Sequence, residues 1–407
     1  MAGVKADGSP VASQLFPMRT VVFGALAPAL LFGIALGIAL PIVPASASLL
    51  GANLAVAGFV VALLPIGKVL ADVPAGAIAS RIGDDNAMFL AAVLGVAAFA
   101  GAALAPSLLV LEVSILLVGV SSAVFHLARH SYLTEVTPPT HRARVLSTLG
   151  GTHRLGYLVG PFLGAVVIAN SSVQPAYWLA MGCTALALVV LLAARSSRAA
   201  RRYVARPAER ATVWGVAREH RRLFHTLGVA TLLVGSVRGA RQTVLPLWGE
   251  YLGLDPATVS LVFGLSGALD IMLFYPAGHI MDRFGRLWVA LPSMLAMGVA
   301  MAALPFTTGL VSMSLAAGLL GLGNGFGSGI IMTLGADVAP ADSRSAFLGV
   351  WRLFQDIGEG VGPLVLTVGA ALGSLAVGIW VAAAFGGLSS WALARWVPRY
   401  SRTGSGA

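Results

Sequence analysis

Charged residues are scarce in this sequence: Asp, Glu, Lys and Arg together make up only 10% of its 407 residues. A soluble domain carries roughly 25% charged residues, so the chain cannot cover a water-facing surface of matching size. Hydrophobic residues make up 57% of the sequence and the mean hydropathy is +0.87, which indicates that lipid surrounds most of the chain. The composition therefore excludes an ordinary soluble enzyme or binding domain.

Cysteine pairs, metal-ligand motifs and nucleotide loops are also missing. Cys183 is the only cysteine, so no intrachain disulfide can form, and no Cys/His group has metal-ligand spacing. The pattern G-x-x-x-x-G-K-[ST] does not occur, which argues against an ATP-driven pump. The glycine-rich run from Gly321 to Gly329 has no preceding strand and indicates helix packing or a hinge. We expect no cofactor, no bound metal ion and no enzymatic activity.

Apolar runs of about twenty residues recur along the chain, the length of a transmembrane helix. Barrel strands would alternate apolar and polar residues, so the runs predict helices. The predicted spans are 20–44, 52–79, 87–105, 109–134, 146–169, 174–194, 224–249, 256–280, 286–306, 310–336, 347–372 and 374–397. We predict an N-terminal tail (1–18), a six-helix bundle (19–194), a basic linker (195–223), a second six-helix bundle (224–397) and a C-terminal tail (398–407).

The net charge of +10 is concentrated between particular spans. The segment between the sixth and seventh spans carries nine arginines against two glutamates, and the odd-numbered connections contain no Lys or Arg. The positive-inside rule therefore predicts a multi-pass protein of the cell (inner) membrane with both termini and the linker in the cytoplasm. Because membrane topology already explains where the basic residues lie, we expect the protein to interact with the lipid bilayer and not with nucleic acid.

A shift of 202 residues superimposes the first half of the sequence on the second. Each half holds six spans, an even number, so the two bundles share one orientation. They are predicted to be related by an axis along the membrane normal, with a substrate path between them. The shift matches Pro44, Gly51, Pro74, Gly76, Arg81, Gly83, Gly119, Pro138, Arg142, Gly156, Gly160 and Pro161 to Pro246, Gly253, Pro276, Gly278, Arg283, Gly285, Gly321, Pro340, Arg344, Gly358, Gly362 and Pro363.

One repeated block lies in the connections after the second and eighth spans. The second-half copy is Gly278-His-Ile-Met-Asp282-Arg283-Phe-Gly285-Arg286, which resembles the cytoplasmic loop signature G-x-x-x-D-R-x-G-R of the major facilitator superfamily. The resemblance implies a gate that helps to lock the outward-facing state. The first-half copy keeps Gly76, Arg81 and Gly83, but Ser80 replaces the acid and Asp84 replaces the last arginine. The first-half lock is therefore in question.

The fifth span contains Gly156-Tyr-Leu-Val-Gly160-Pro161-Phe-Leu-Gly164. This block resembles the G-x-x-x-G-P-x-x-G motif of the superfamily's exporters, notably the drug:proton antiporters. The resemblance covers residues 20–397 and implies an alternating-access secondary transporter for proton-coupled efflux of a small organic or drug-like molecule, functional as a monomer. The alternatives are a proton-coupled uptake symporter for a sugar or organic acid, and a non-transporting membrane sensor.

Charged residues inside the predicted spans are costly unless they face a cavity or a partner. Lys68 and Asp270 are related by the 202 shift, and both lie about 18 Å from the cytoplasmic ends of their helices. Arg154 and Asp356 are related in the same way, about 13 Å from their ends. The family's helix arrangement implies that Lys68 opposes Asp356 and Glu359, and that Arg154 opposes Asp270. We predict two ion clusters between the halves whose carboxylates exchange protons, with clamping of one conformation as the alternative.

A basic pair in the seventh span has no charged counterpart in the first half. Arg238 and Arg241, with Gln242, are predicted to bind an anionic substrate group, because arginine presents a fork of donors. The alternative is pairing with an acid such as Asp270. Asp72, also a substrate-binding candidate, lies four residues after Lys68 and could instead only neutralise it. His126, Arg129 and His130 are interpreted as an inner boundary of the path, with proton relay by His126 as the alternative.

Overall fold

The computed structural model describes residues 21–137, 139–196, 213–340 and 343–401. This part of the chain folds into twelve long helices, and a short helix, Val213–Glu219, precedes the seventh. The first half contains α1 Val22–Leu49, α2 Leu54–Ile82, α3 Asp84–Ala103, α4 Leu108–Val136, α5 Pro139–Ala169 and α6 Gln174–Ser196. The second half contains α7 Arg221–Tyr251, α8 Pro256–Phe284, α9 Leu287–Phe306, α10 Leu310–Val338, α11 Arg344–Ala371 and α12 Leu375–Ser401.

The twelve predicted spans correspond to these twelve helices. Within the described residues, eleven are long and apolar enough to cross a membrane. The remaining helix, α11, has 28 residues, enough to span about 42 Å, but it carries Arg352, Asp356 and Glu359. Several helices extend beyond the predicted spans, because hydropathy falls at the first charged residues while backbone hydrogen bonding continues into the interface. Helix α12 continues to Ser401, into the expected C-terminal tail.

The expected N-terminal tail (1–18), residues 197–212 of the basic linker and residues 402–407 lie outside the described residues. The connections after α2, α4, α6, α8 and α10 lie at one end of the bundle, which we call the basic end. Within the halves, α1 packs against α5 and α7 against α11. Across the halves, α2 packs against α11 and α5 against α8, so these four helices form most of the interface between the two bundles, to which α1 and α7 also contribute.

The two halves repeat the same helix crossings. Gly156 of α5 lies against the backbone of Leu30, and its repeat partner Gly358 of α11 lies against Leu232, also 202 residues further on. The glycines that end α2 and α8 both have positive φ, 85° at Gly83 and 99° at Gly285. Small residues let two helix backbones approach closely, and the repeat places them at equivalent points of both crossings. The structure thus confirms the two-bundle architecture expected from the 202-residue shift.

Two glycines of the segment Gly156–Gly164 in α5, one tightly packed and one not, allow this packing to be tested. A Cβ at Gly160 would lie 2.7 Å from Cα of Gly37 in α1, whereas a Cβ at Gly164 would lie at an ordinary 3.5 Å from Cγ2 of Ile38. Because α1 and α5 cannot separate without losing contacts along the whole crossing, Gly160→Ala is expected to lower the apparent melting temperature of the purified protein by several degrees. Gly164→Ala should leave it unchanged. Equal melting temperatures for the two variants would contradict the close backbone approach at Gly160.

Candidate functional site

A cavity of about 500 Å³ lies between the two halves. Helices α2, α4 and α5 of the first half and α7, α8, α10 and α11 of the second contribute to its wall. Its volume is within the range of small-molecule sites, about 300–1,000 Å³. The charged side chains that line it are Lys68, Asp72, Arg129, Arg154, Arg238, Arg241, Asp270, Arg352, Asp356 and Glu359.

The halves touch on the side of the cavity away from the basic end. A Cβ at Gly58 of α2 would lie 3.1 Å from Oγ1 of Thr367 in α11, and a Cβ at Gly264 of α8 would lie 3.0 Å from the ring of Phe162 in α5. Toward the basic end, a Cβ at Gly278 of α8 would meet no atom within 4 Å. The cavity wall includes Leu146 near the basic-end start of α5, so the cavity lies in the basic-end part of the bundle.

Asp270 of α8 is the centre of one charged cluster. Its carboxylate lies 3.8 Å from Nη1 of Arg154 in α5 and 3.6 Å from Nη1 of Arg241 in α7. The amide of Asn324 in α10 donates a hydrogen bond of 2.6 Å to the same carboxylate. These four residues, which we call the Asp270 cluster, bring together the opposed charges Arg154 and Asp270 expected from the sequence. They also show that Arg241 has the acid partner named as its alternative role.

Helix α10 is interrupted beside this cluster. Its two segments, Leu310–Phe326 and Ile330–Val338, are separated by three residues, and Gly329 has a φ of +82°. Arg238 of α7 donates a hydrogen bond of 2.7 Å to the carbonyl of Gly327 in this break, which also accepts a longer one of 3.4 Å from the N–H of Ile330. The glycine-rich run thus combines a break in α10 with close packing of Gly321 and Gly325 against the backbone of α8, and a hinge movement at the break stays a prediction. Sequence reasoning missed Asn324, whose signal was a single amide within an otherwise apolar glycine-rich run.

Asp356 of α11 is the centre of a second charged cluster. Its side chain is 11% exposed, and one carboxylate oxygen lies 3.5 Å from Nε of Arg352, one turn earlier in the helix. Gln355 donates a hydrogen bond of 3.1 Å to Glu359, the next acid along the same helix face. The carboxyl of Asp72 in α2 lies within hydrogen-bonding reach of Asp356. We call these five residues the Asp356 cluster.

The contact between Asp72 and Asp356 joins two acids across the interface. Oδ2 of Asp72 is buried, and the part of the chain that the structure describes supplies it with no hydrogen-bond donor. Two ionised carboxylates offer only acceptors and repel each other, whereas one shared proton would provide a donor between them. Among the described residues Asp72 forms no ion pair with Lys68 within 4.0 Å, and neutralisation of Lys68 by Asp72 stays a prediction. Asp72 completes the Asp356 cluster from the first half.

Lys68 of α2 faces the same region but does not close an ion pair. It lines a small space together with Gln242 of α7 and Glu359 of α11, at the deep end of the cavity. Among the described residues, its amine lies within the 4.0 Å ion-pair distance of no carboxylate. The predicted opposition of Lys68 to Asp356 and Glu359 is thus seen as proximity in one cavity, without direct contact.

Arg129 and three aromatic or imidazole side chains form a further group in the wall. Nη2 of Arg129 lies 2.8 Å from Nδ1 of His126. The His126 ring lies 6.1 Å from the ring of His153 in α5, which lies 5.1 Å from the ring of Tyr157. All four line the cavity, so this part of α4 belongs to the wall of the path. His153 and Tyr157 were missed, although both lie within one turn of Arg154.

The two loop copies at the basic end differ in their charges. In the second half, Arg286 makes a two-point contact with Asp337 at the end of α10, with Nε 2.9 Å from Oδ2. Arg286 also lies 3.9 Å from Asp282. The 202 shift places Asp84 and Glu135 where Arg286 and Asp337 stand. Two acids replace an ion pair, so the first half cannot form this contact with those residues.

Comparisons with known proteins agree with this architecture. The sequence model of the Major Facilitator Superfamily matches residues 26–363, and a second match covers residues 227–406. The chain belongs to the major facilitator superfamily. It is 26% identical over 292 residues, 70% of each chain, to the multidrug resistance protein MdtH of Shigella boydii. It is 21% identical over 306 residues, 75% of each chain, to the MFS-type transporter YhjO of Bacillus subtilis.

Solved structures share the fold of this superfamily member at low sequence identity. The nucleoside transporter NupG superimposes with a TM-score of 0.74 at 13% identity, over 92% of this chain and 99% of the other. At this identity the likeness concerns the fold alone. The chain is therefore a multi-pass membrane transporter of the superfamily, and its substrate and driving force have to be inferred from its own cavity.

Proposed function

We propose that this protein is a proton-coupled efflux transporter that exports a small organic molecule by alternating access. The observation that carries the proposal is that each half contributes charge to both clusters. Arg154 of the first half faces Asp270 of the second, and Asp72 of the first half faces Asp356 of the second. A change in the ionisation of either acid alters the attraction between the bundles, so protonation and movement are coupled.

Asp270, Asp356 and Glu359 are the proposed proton-binding groups, with Lys68 and Arg154 as the cations that respond to them. Proton loss from Asp356 restores its attraction to Arg352 and its repulsion from Asp72. Proton binding to Asp270 releases both Arg154 and Arg241. Each event changes contacts that cross from one half to the other, which is the requirement for driving a two-state exchange. Asp72, Arg238, Arg241 and Gln242 line the cavity beside these groups and are the proposed substrate contacts.

The basic end is proposed to be cytoplasmic, because the arginine-rich connections lie there. The cavity then faces the cytoplasm, and the halves meet on the outer side. The gate consists of the loop glycines and charges Gly76, Arg81, Gly83, Gly278, Asp282, Arg283, Gly285 and Arg286. In the outward-facing state, the basic ends of α2 and α8 close on α11 and α5. The printed name of MdtH, a multidrug resistance protein, supports export as the direction.

The experiment compares transport in two orientations of the same membrane. Everted vesicles and intact cells containing the protein are given fluorescent amphiphiles of positive, neutral and negative charge, with and without a protonophore. Export by antiport is expected to give energised accumulation of at least one compound in everted vesicles and lowered content in intact cells, both abolished by the protonophore. Accumulation in intact cells would instead establish an uptake symporter, and no dependence on the protein in either system would reject transport of these compounds.

A further inference from the structure

The cavity carries more positive than negative charge. Its described wall holds six lysine or arginine side chains and four aspartate or glutamate side chains, so two positive charges remain when every carboxylate is ionised. Protonation of any of the three proposed proton-binding groups increases this excess. Such a wall repels organic cations and attracts anions.

Most of the arginines already have acceptors. Arg154 and Arg241 share the carboxylate of Asp270, and Arg352 pairs with Asp356. Arg238 donates to the carbonyl of Gly327. The two arginines of α7 that the sequence suggested for an anionic substrate are therefore engaged within the protein. The acidic group of a substrate anion therefore needs a cation that is less engaged than these two.

Three cations of the described wall, Lys68, Arg238 and Arg129, have no acidic partner, and Arg129 of α4 is the most deeply buried of them. Its side chain is 1% exposed, and no carboxylate of the described residues lies within 4.0 Å of it. Its Nε and Nη1 have no hydrogen-bond partner among the described residues; Nη2 contacts the imidazole of His126, and the guanidinium lies 5.7 Å from the centre of the Phe125 ring. A guanidinium has five N–H donors and no means of losing its charge at physiological pH. A buried guanidinium without hydrogen-bond acceptors is energetically unfavourable until an anion supplies them.

The surroundings of Arg129 favour an organic anion rather than a bare inorganic one. His126 and His130 line the wall beside it and can add N–H donors. The remaining wall includes apolar side chains from the facing helices, among them Leu149, Phe263 and Met332. A molecule with one acidic group and an apolar body would place the acid at Arg129 and the body against these side chains.

We propose that Arg129, assisted by His126, binds the carboxylate or other acidic group of the transported molecule, and that the substrates of this protein are organic anions. This inference rests on the proposed transport function and specifies its substrate class. Arg129 lies in the first half, whereas the apolar wall includes residues of both halves. A bound anion therefore neutralises the excess charge of the cavity and bridges the two bundles through its apolar body.

Binding to the purified full-length protein tests the proposal with three probes of one shape: 2-naphthoate, 2-naphthamide and 2-naphthylmethylammonium. Affinities are measured from the ligand-dependent rise in melting temperature. The wild-type protein is expected to bind 2-naphthoate at least tenfold more tightly than the other two. Arg129→Gln is expected to weaken 2-naphthoate binding at least tenfold. The control Arg395→Gln removes the same charge from an exposed residue of α12 and should bind all three probes as the wild type does.

Equal binding of the three probes, or unchanged naphthoate binding in Arg129→Gln, overturns the proposal. If Arg129→Gln does not elute as a single species, Arg129→Lys decides, because it keeps the charge and loses the guanidinium fork. Weaker naphthoate binding by that variant supports the proposal, and unchanged binding contradicts it. Binding needs no gradient, so this assay is independent of transport. Proton-driven transport of neutral or cationic compounds without naphthoate binding rejects the anion site and leaves the proposed function standing.

Discussion

Replacing Asp356 by asparagine is expected to abolish uphill transport while preserving exchange of labelled for unlabelled substrate. Asp356 is 8% exposed and lies between Arg352 of its own helix and Asp72 of the opposite half. The amide keeps the size of the side chain but cannot gain or lose a proton, so the contact between the halves no longer responds to pH. We expect proton-driven accumulation in everted vesicles to fall at least tenfold.

The matched control for this variant is Glu219→Gln, which makes the same chemical change at an exposed residue of the short helix before α7. It should transport like the wild type. Exchange without a gradient, measured in proteoliposomes, separates coupling from binding and folding. Full uphill transport by Asp356→Asn would remove this residue from the coupling mechanism, and loss of exchange as well would show that it serves binding or folding instead.

Replacing Asp270 by asparagine is expected to have the largest effect on stability as well as abolishing transport. This carboxylate is the shared partner of Arg154 and Arg241 and the acceptor for Asn324. Its side chain and that of Arg241 are only 14% and 12% exposed. Removing one partner of such a pair leaves a charge without compensation, at a cost of about 3 kcal/mol. The apparent melting temperature should therefore fall clearly below that of the wild type.

A second substitution distinguishes electrostatic from packing effects at Asp270. Adding Arg241→Gln to Asp270→Asn removes one of the two stranded cations, so the double variant should regain most of the lost melting temperature. Transport should stay absent in both, since neither carries a titratable group at position 270. If the double variant is less stable than Asp270→Asn alone, the charge interaction between the two residues is not the cause of the loss.

The fold could be predicted from the sequence because the features that determine it can be read from positions along the chain. Span length, the arginine-rich connections and the 202-residue shift each require only positions along the chain. The depth of a charged residue within its helix also follows from its position along the chain, which is why Arg154 was correctly predicted to face Asp270. Once the family resemblance supplied the helix neighbours, these depths were enough to bring the two residues together.

The individual contacts of the charged and polar side chains could not be predicted in this way. The depth of a residue in the membrane does not determine the direction in which its side chain points around the helix axis. A helix that faces lipid on one side and apolar protein on the other has little amphipathic pattern from which that direction could be predicted. Lys68 and Asp72 therefore looked like a pair four residues apart, whereas Asp72 contacts Asp356 across the interface. Asn324 depends on the break in α10, and the isolation of Arg129 depends on which carboxylates its neighbours already hold. These are properties of the assembled bundle.

The most direct test of the account is the proton movement that accompanies downhill substrate flow. Purified protein is reconstituted into vesicles containing a pH-sensitive dye, and a gradient of a compound identified in the transport comparison is imposed without any pH gradient. We expect protons to move in the direction opposite to the substrate in the wild type, and no proton movement in Asp356→Asn. Substrate flow without a pH change, or with protons moving in the same direction, would contradict proton-coupled efflux.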